Sequence, residues 1–180
     1  MKRFFSGKVI VEELPMGGAD SEERRIISAK GEMAQILNRA EESFQHLVYW
    51  DLDSAKSGQL RGNHYHLRKT ERYYVISGQL DLFLEDITSL QNEKIRLLPG
   101  SRVTLPPRVA HSFKSLAYSQ VLEFSPGPYD PSDTKLYACP SSPARNAIRC
   151  GEIAGGLAGA RAQAARVADK EGRKMSGTGE

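Results

Sequence analysis

Long apolar runs are missing from this chain. None of the hydrophobic stretches in its 180 residues approaches the roughly 20 consecutive residues that a membrane-spanning helix requires, which argues against a helical membrane protein. Cysteine is scarce as well: Cys139 and Cys150 are the only two, and their spacing fits neither a zinc knuckle nor a redox pair, so both are read as free thiols. The opening Met1-Lys2-Arg3-Phe4-Phe5 starts like a leader, but Gly7, Lys8, Glu12 and Glu13 interrupt it before an apolar segment of useful length forms. Export is therefore not expected, and the expected compartment is the cytoplasm. No G-x-G-x-x-G or phosphate-loop pattern occurs and no internal repeat is visible, so the sequence carries no dinucleotide-binding domain. An excess of one charge is absent over most of the length: residues 1–137 carry eighteen Lys/Arg and eighteen Asp/Glu, and the formal net charge of +3 comes wholly from residues 138–180. A neutral body lacks the clustered basic surface on which phosphate-backbone binding rests, so no nucleic-acid partner is expected.

What is present is a globular composition, 39% hydrophobic and 26% charged, in a chain long enough for one core and an appendage. The dominant period is two. It runs through Val9–Val11, Leu47–Trp50, Tyr73–Ile76, Leu80–Leu84, Arg102–Leu105 and Gln120–Phe124, which predicts short strands. Ser77-Gly78, Pro99-Gly100 and Pro106-Pro107 are expected to form the turns between them, and the even spacing suggests a closed or sandwiched antiparallel barrel. One short helix is expected around Glu32 to Glu42. The predicted organisation is N-terminal strands and that helix over residues 1–44, a barrel over 45–137, and an Ala/Gly-rich tail over 138–180. Gly155, Gly156 and Gly159 would leave that tail disordered or at best loosely helical.

Three of the four histidines fall within 48 residues, and two of these, His64 and His66, are spaced for one face of a strand. Both imidazoles can then reach one point, as a metal site requires, while Tyr65 points away. Glu71 follows across a turn expected at Arg68-Lys69-Thr70, where a hairpin would return its carboxylate beside the imidazoles. His111, after the rigid Pro106-Pro107 turn, can supply a fourth ligand from a neighbouring strand. Histidines with a carboxylate suit zinc, iron, manganese, nickel or copper. The fourth histidine, His46, has no partner in the pattern and is read as ordinary.

These residues resemble the cupin superfamily. Gly58-x5-His64-x-His66-x4-Glu71-x6-Gly78 is similar to the first cupin motif, and Gly100-x5-Pro106-x-Arg108-x2-His111 to the second. Arg108 stands where the second motif has glycine and Ser115 where it often has asparagine. The resemblance covers residues 45–128 and implies an all-β, single-domain jelly-roll barrel in which His64, His66, Glu71 and His111 hold one divalent transition metal such as Zn, Fe, Mn or Ni. Within it, Arg61-Gly62-Asn63-His64-Tyr65-His66 resembles the R-G-x-H-x-H segment of cupins that act on nucleotide-linked sugars. Those are the cupin half of bifunctional capsule-polysaccharide enzymes and, less closely, the sugar-nucleotide 3,4-ketoisomerases. An epimerase or isomerase of a nucleotide-linked keto-sugar is then the expected activity, with removal of a proton beside a carbonyl and passage through an enolate. Metal would polarise the carbonyl. Tyr73 is the candidate acid and Arg61 the candidate phosphate ligand; without metal, His64 would be the base. A metal-dependent cupin dioxygenase and a non-catalytic sugar-binding module are the alternatives. The expected partners are a small-molecule sugar nucleotide and a second copy of the chain, and no membrane.

Overall fold

Alternating apolar and polar side chains suit a pleated strand with one buried face, and that pattern governs nearly all of the computed structural model, which describes residues 1–17, 22–39 and 43–139. The strands are β1 (Lys2–Phe4), β2 (Val9–Glu13), β3 (Arg24–Ser28), β4 (Gly31–Gln35), β5 (His46–Leu52), β6 (Arg61–His66), β7 (Glu71–Asp86), β8 (Asn92–Leu97), β9 (Ser101–Leu105), β10 (Val109–Ser125) and β11 (Thr134–Leu136). One helical turn, α1 (Ser54–Ser57), follows β5, and a 3-10 turn (Pro131–Asp133) precedes β11. All named strand pairs are antiparallel.

The two long strands decide the architecture. The first part of β7, Glu71–Tyr74, pairs with β9, and its last part, Leu80–Glu85, pairs with β8. Likewise β10 pairs with β6 near its start, through His111–Phe113, and with β5 near its end, through Ser119–Ser125. Each therefore belongs to two half-sheets, one containing β8, β6 and β11, the other β1, β2, β9 and β5. These half-sheets face each other. Along the ladder His111 lies opposite Leu84, and Glu71 lies thirteen residues up β7 from Leu84, about 43 Å of straight strand. Yet His111 Nε2 is 3.3 Å from Glu71 Oε2. Only a strand that bends back over itself brings the two together.

The bend falls at Ser77-Gly78, where the sequence predicts a turn. It is not one: β7 runs through it, because the ladder with β10 continues on both sides, Ser77 opposite Gln120 and Gln79 opposite Ala117. Gly78 has φ +86, and a Cβ there would lie 2.2 Å from Ser119 Oγ and 2.3 Å from the Tyr118 carbonyl. Only glycine combines that backbone with that approach.

Between the half-sheets lies the core: Val9, Val75, Leu80, Leu82, Leu84, Leu97, Val103 and Val121 have no exposed surface, each contributing about 1.5–3 kcal/mol by burial. On the outer surface Leu14, Tyr74 and Phe124 pack with Ile36 and Leu37. That segment is tied down by buried Arg102, which donates to the Ile36 carbonyl at 2.6 Å and pairs with Glu12 at 2.9 Å and Glu23 at 2.7 Å. A third cluster, on the other half-sheet, joins Phe83, Ala110 and Cys139 to Tyr65 and Tyr137. Burial pushes the Cys139 thiol up to about 12.

The helix expected around Glu32 to Glu42 is absent over its described part. Gly31, at φ +105, lets the chain reverse after Ser28, so that Gly31–Gln35 pairs with β3 as Arg25 grips Glu32 across the hairpin; residues 36–39 follow without regular structure. Residues 40–42 lie outside the described residues, as do Cys150 and all of the expected tail beyond Cys139.

Candidate active site

His64 and His66 occupy one face of β6, and Tyr65 turns to the other, where its ring meets Tyr137 edge-on at 6.0 Å. A bulge precedes them. Gly62 (φ +96) and Asn63 (φ +60) depart from extended backbone where the pairing with β10 shifts register, and a Cβ on Gly62 would lie 2.7 Å from the His111 carbonyl. Asn63 is fixed by bonds from Ser112 Oγ at 2.9 Å and from the Tyr137 amide to its carbonyl at 2.7 Å.

Glu71 does not arrive by the hairpin that the sequence suggests. β6 and β7 are not neighbours, because β10 lies between them; Glu71 comes instead from the facing half-sheet. His111 sits directly opposite His64 in the β6–β10 ladder. The two departures from the motif keep the local shape: Arg108 adopts the positive φ, +64, of the glycine it replaces, and Ser115 exchanges hydrogen bonds with Ser54, donating its amide to Ser54 Oγ and accepting from the Ser54 amide.

The three imidazoles converge, with centroids 4.5 Å apart for His64–His111 and 4.9 Å for His64–His66. Each is held by an oxygen outside the centre. The His64 ring bonds the Gly62 backbone, His66 Nδ1 faces Asp133 Oδ2 at 3.4 Å, and His111 Nδ1 faces the Val109 carbonyl at 3.3 Å. At the centre, Glu71 Oε2 accepts from the Tyr73 hydroxyl at 2.7 Å and Oε1 from Lys69 Nζ at 2.9 Å. His66 Nε2 approaches Oε1 at 3.0 Å but is buried without a hydrogen bond. Tyr73 OH is also 3.2 Å from His111 Nε2, and Lys69 Nζ 3.3 Å from Glu123 Oε1.

Burial works against the Glu71 charge, but the His66, His111 and Lys69 side chains around it hold its carboxyl well below the usual carboxylate range. Burial pushes His111 down to about 4 and lowers His64 as well, so both imidazoles are neutral at pH 7. Tyr73 is driven well above its usual range by burial and by the Glu71 charge, and keeps its proton. Lys69 is disfavoured by burial, yet its bond to Glu71 raises it overall.

This centre opens on a cavity of about 590 Å³, within the range of small-molecule sites. Arg61 lines it with its guanidinium 4.8 Å above the Trp50 ring. His46, read from the sequence as ordinary and partnerless, lines it too and stacks on Tyr129 at 5.8 Å. Sequence reasoning missed Lys69, Glu123 and Asp133. An acidic side chain two residues beyond Val121, on the inward face of a strand, was a usable sign for Glu123; nothing in the spacing marks Asp133, whose carboxylate accepts from the Arg68 and Lys69 amides, both at 3.0 Å.

The donors suit a metal. His64, His66 and Glu71 offer atoms all within 4.8 Å of one another, the imidazoles are anchored as ligands usually are, and an unbonded buried nitrogen lies among them. His111 stands outside that triplet, its Nε2 turned to Tyr73 and Glu71.

Solved structures share this architecture. A sugar 3,4-ketoisomerase from Thermoanaerobacterium thermosaccharolyticum, solved in complex with TDP, superposes with a TM-score of 0.58 at 16% identity, over 71% of this chain and 87% of that one. A TDP-quinovose 3,4-ketoisomerase from Campylobacter jejuni gives 0.57 at 20% identity, over 71% and 92%. A dTDP-4-dehydrorhamnose 3,5-epimerase from Sulfolobus tokodaii gives 0.60 at 16% identity, over 74% and 79%. At these identities the likeness establishes the fold, the expected cupin jelly roll. Comparison with curated proteins gave no match. The sequence itself supplies the closer relationship: residues 28–125, more than half of the chain, match the family model of the polysaccharide biosynthesis C-terminal domain, and the protein belongs to that family.

Proposed function

We propose that the protein is an epimerase or isomerase that moves a proton on the carbon beside the keto group of a nucleotide-linked sugar. The observation that carries this reading is the cavity wall on which neutral imidazoles, an ionised carboxylate, a phenol and an ammonium face one space. Family membership and the sugar nucleotides named for structural neighbours support the same substrate class. A divalent metal held by His64, His66 and Glu71, and by His111 once its Nε2 turns from Tyr73, would polarise the keto oxygen when bound. The lone pairs of those imidazoles would then be committed, so proton removal falls to another group. Glu123 is a carboxylate on the cavity wall and takes that part. Tyr73, still protonated and bonded to Glu71, is the acid for the return step. Arg61, braced on Trp50, meets the phosphates. The proposed assembly is a homodimer in the cytoplasm, its mass measurable by light scattering.

Epimerisation and keto-isomerisation share an enolate, which must take up solvent hydrogen when it returns to ketone. The protein should therefore exchange a C–H proton of a UDP- or dTDP-linked 4-keto-sugar for solvent deuterium without NAD(P)H. Tyr73→Phe should slow exchange about 10²–10⁴-fold. No exchange across such a panel, with oxygen consumption by iron-loaded protein on a small organic substrate, would replace this reading with the dioxygenase.

A further inference from the structure

A buried carboxylate needs a compensating charge, and Glu71, only 2% exposed, already has one. Lys69 Nζ lies 2.9 Å from Glu71 Oε1, the oxygen that also stands 3.0 Å from His66 Nε2. Thus the ammonium occupies the side of Glu71 from which a metal shared with His66 would bind. We infer that Lys69 and a divalent cation are alternative counter-charges of Glu71, so that loading the site requires the lysine to withdraw to Glu123. This rests on the metal reading proposed above and names what controls it.

Three observations carry it. Two like charges on one buried carboxylate repel strongly where water is scarce. Glu123 Oε1 is already 3.3 Å from Lys69 Nζ, so the ammonium has a second seat within reach of its own side chain. The lysine backbone stays in place as it moves, because the Lys69 amide is bonded to Asp133 Oδ2 at 3.0 Å. Charge count agrees. Glu71 and Glu123 exceed Lys69 by one negative charge, and a dication reverses that balance; Arg61, which also lines the cavity, lies over the Trp50 ring and bonds neither carboxylate.

The test is zinc affinity of chelator-stripped full-length protein, measured by competition with a chromophoric chelator. Lys69→Met should bind zinc at least tenfold more tightly than wild type, whereas Lys69→Arg, which keeps the charge, should stay within a few-fold. Glu123→Gln should bind several-fold more weakly, because the displaced ammonium loses its second seat. Melting curves add an independent readout: zinc should raise the Tm of Lys69→Met more than that of wild type. Equal or weaker binding by folded Lys69→Met, with wild type binding well, overturns the lysine exchange and leaves the metal reading intact. Failure of every protein to bind zinc overturns both. If Lys69→Met does not fold, unchanged or tighter binding by Glu123→Gln is the overturning result, and weaker binding sustains the inference.

Discussion

Asp133 shows how much of the site depends on a residue that never faces the cavity. Its carboxylate receives two backbone amides from the turn before Glu71 and faces Nδ1 of His66, so one buried side chain sets both the turn and a ring orientation. Burial opposes its charge, but the Lys69 and Arg68 amides and the neighbouring His66 and Arg68 keep its carboxyl below the usual range. Asp133→Asn should cost about 1–3 kcal/mol in denaturant unfolding. It should also weaken zinc binding about 10–100-fold, as loss of an outer partner of a ligand does; a loss of stability with unchanged zinc affinity would mean that His66 does not ligate. At this scale the convergence of His64, His66, Glu71 and His111, with Tyr73 beside them, was legible from strand periodicity and motif spacing, but the route of Glu71 was not, because it comes from the facing half-sheet and not by a hairpin. Lys69 and Asp133 were not legible, since their roles depend on Glu123 and His66, 54 and 67 residues away along the chain, and Glu123 left only the sign of an acid on the inward face of a strand.

Among the elements, the two long strands carry the greatest consequence. Their apolar alternation was visible as separate short strands, but the joint at Ser77-Gly78 read as a turn, because local propensity cannot tell a hairpin from a bend when the neighbouring strand supplies the continuity. The helix expected around Glu32 to Glu42 is absent over its described part for a similar reason: Ile36 and Leu37 are apolar because they cover Tyr74 and Phe124, not because they line a helix. Gly78→Ala tests the bend. With the β10 backbone at Tyr118 and Ser119 in the way, it should lower stability by about 2 kcal/mol or more, whereas Gly7→Ala, at φ +91 with nothing within 4 Å of its Cβ, should cost only the backbone strain, about 1–2 kcal/mol. Equal effects would show that the close approach at Gly78 relaxes.

At the scale of the whole molecule, buried acids hold outlying pieces to the barrel. Asp86 receives Lys8, Asp81 receives Arg96 and Lys94, and Glu23 receives Arg102 and Arg39. In all three burial opposes ionisation and the cationic partners outweigh it, so the folded pKa values are lowered. Groups depressed in this way contribute stability that is full above their unfolded values, near 4, and is lost as pH falls through the folded values. The urea midpoint should therefore fall below about pH 4 as these acids protonate, and the decline should begin already below the unfolded histidine value near 6.5, because buried His111, pushed down to about 4, and His64 resist the proton that the unfolded chain takes up; a midpoint that rises on acidification would contradict the assigned ion pairs. The bend that folds one half-sheet onto the other has a further consequence, for timing. Glu71 emerges from the ribosome well before His111 and Asp133, and it meets them only when the second long strand has docked along the first. A nascent or truncated chain that stops short of β10 thus holds two histidines and a carboxylate with no wall to set them against. The centre is completed only once β10 and Asp133 have followed, after the scaffold that gives it shape.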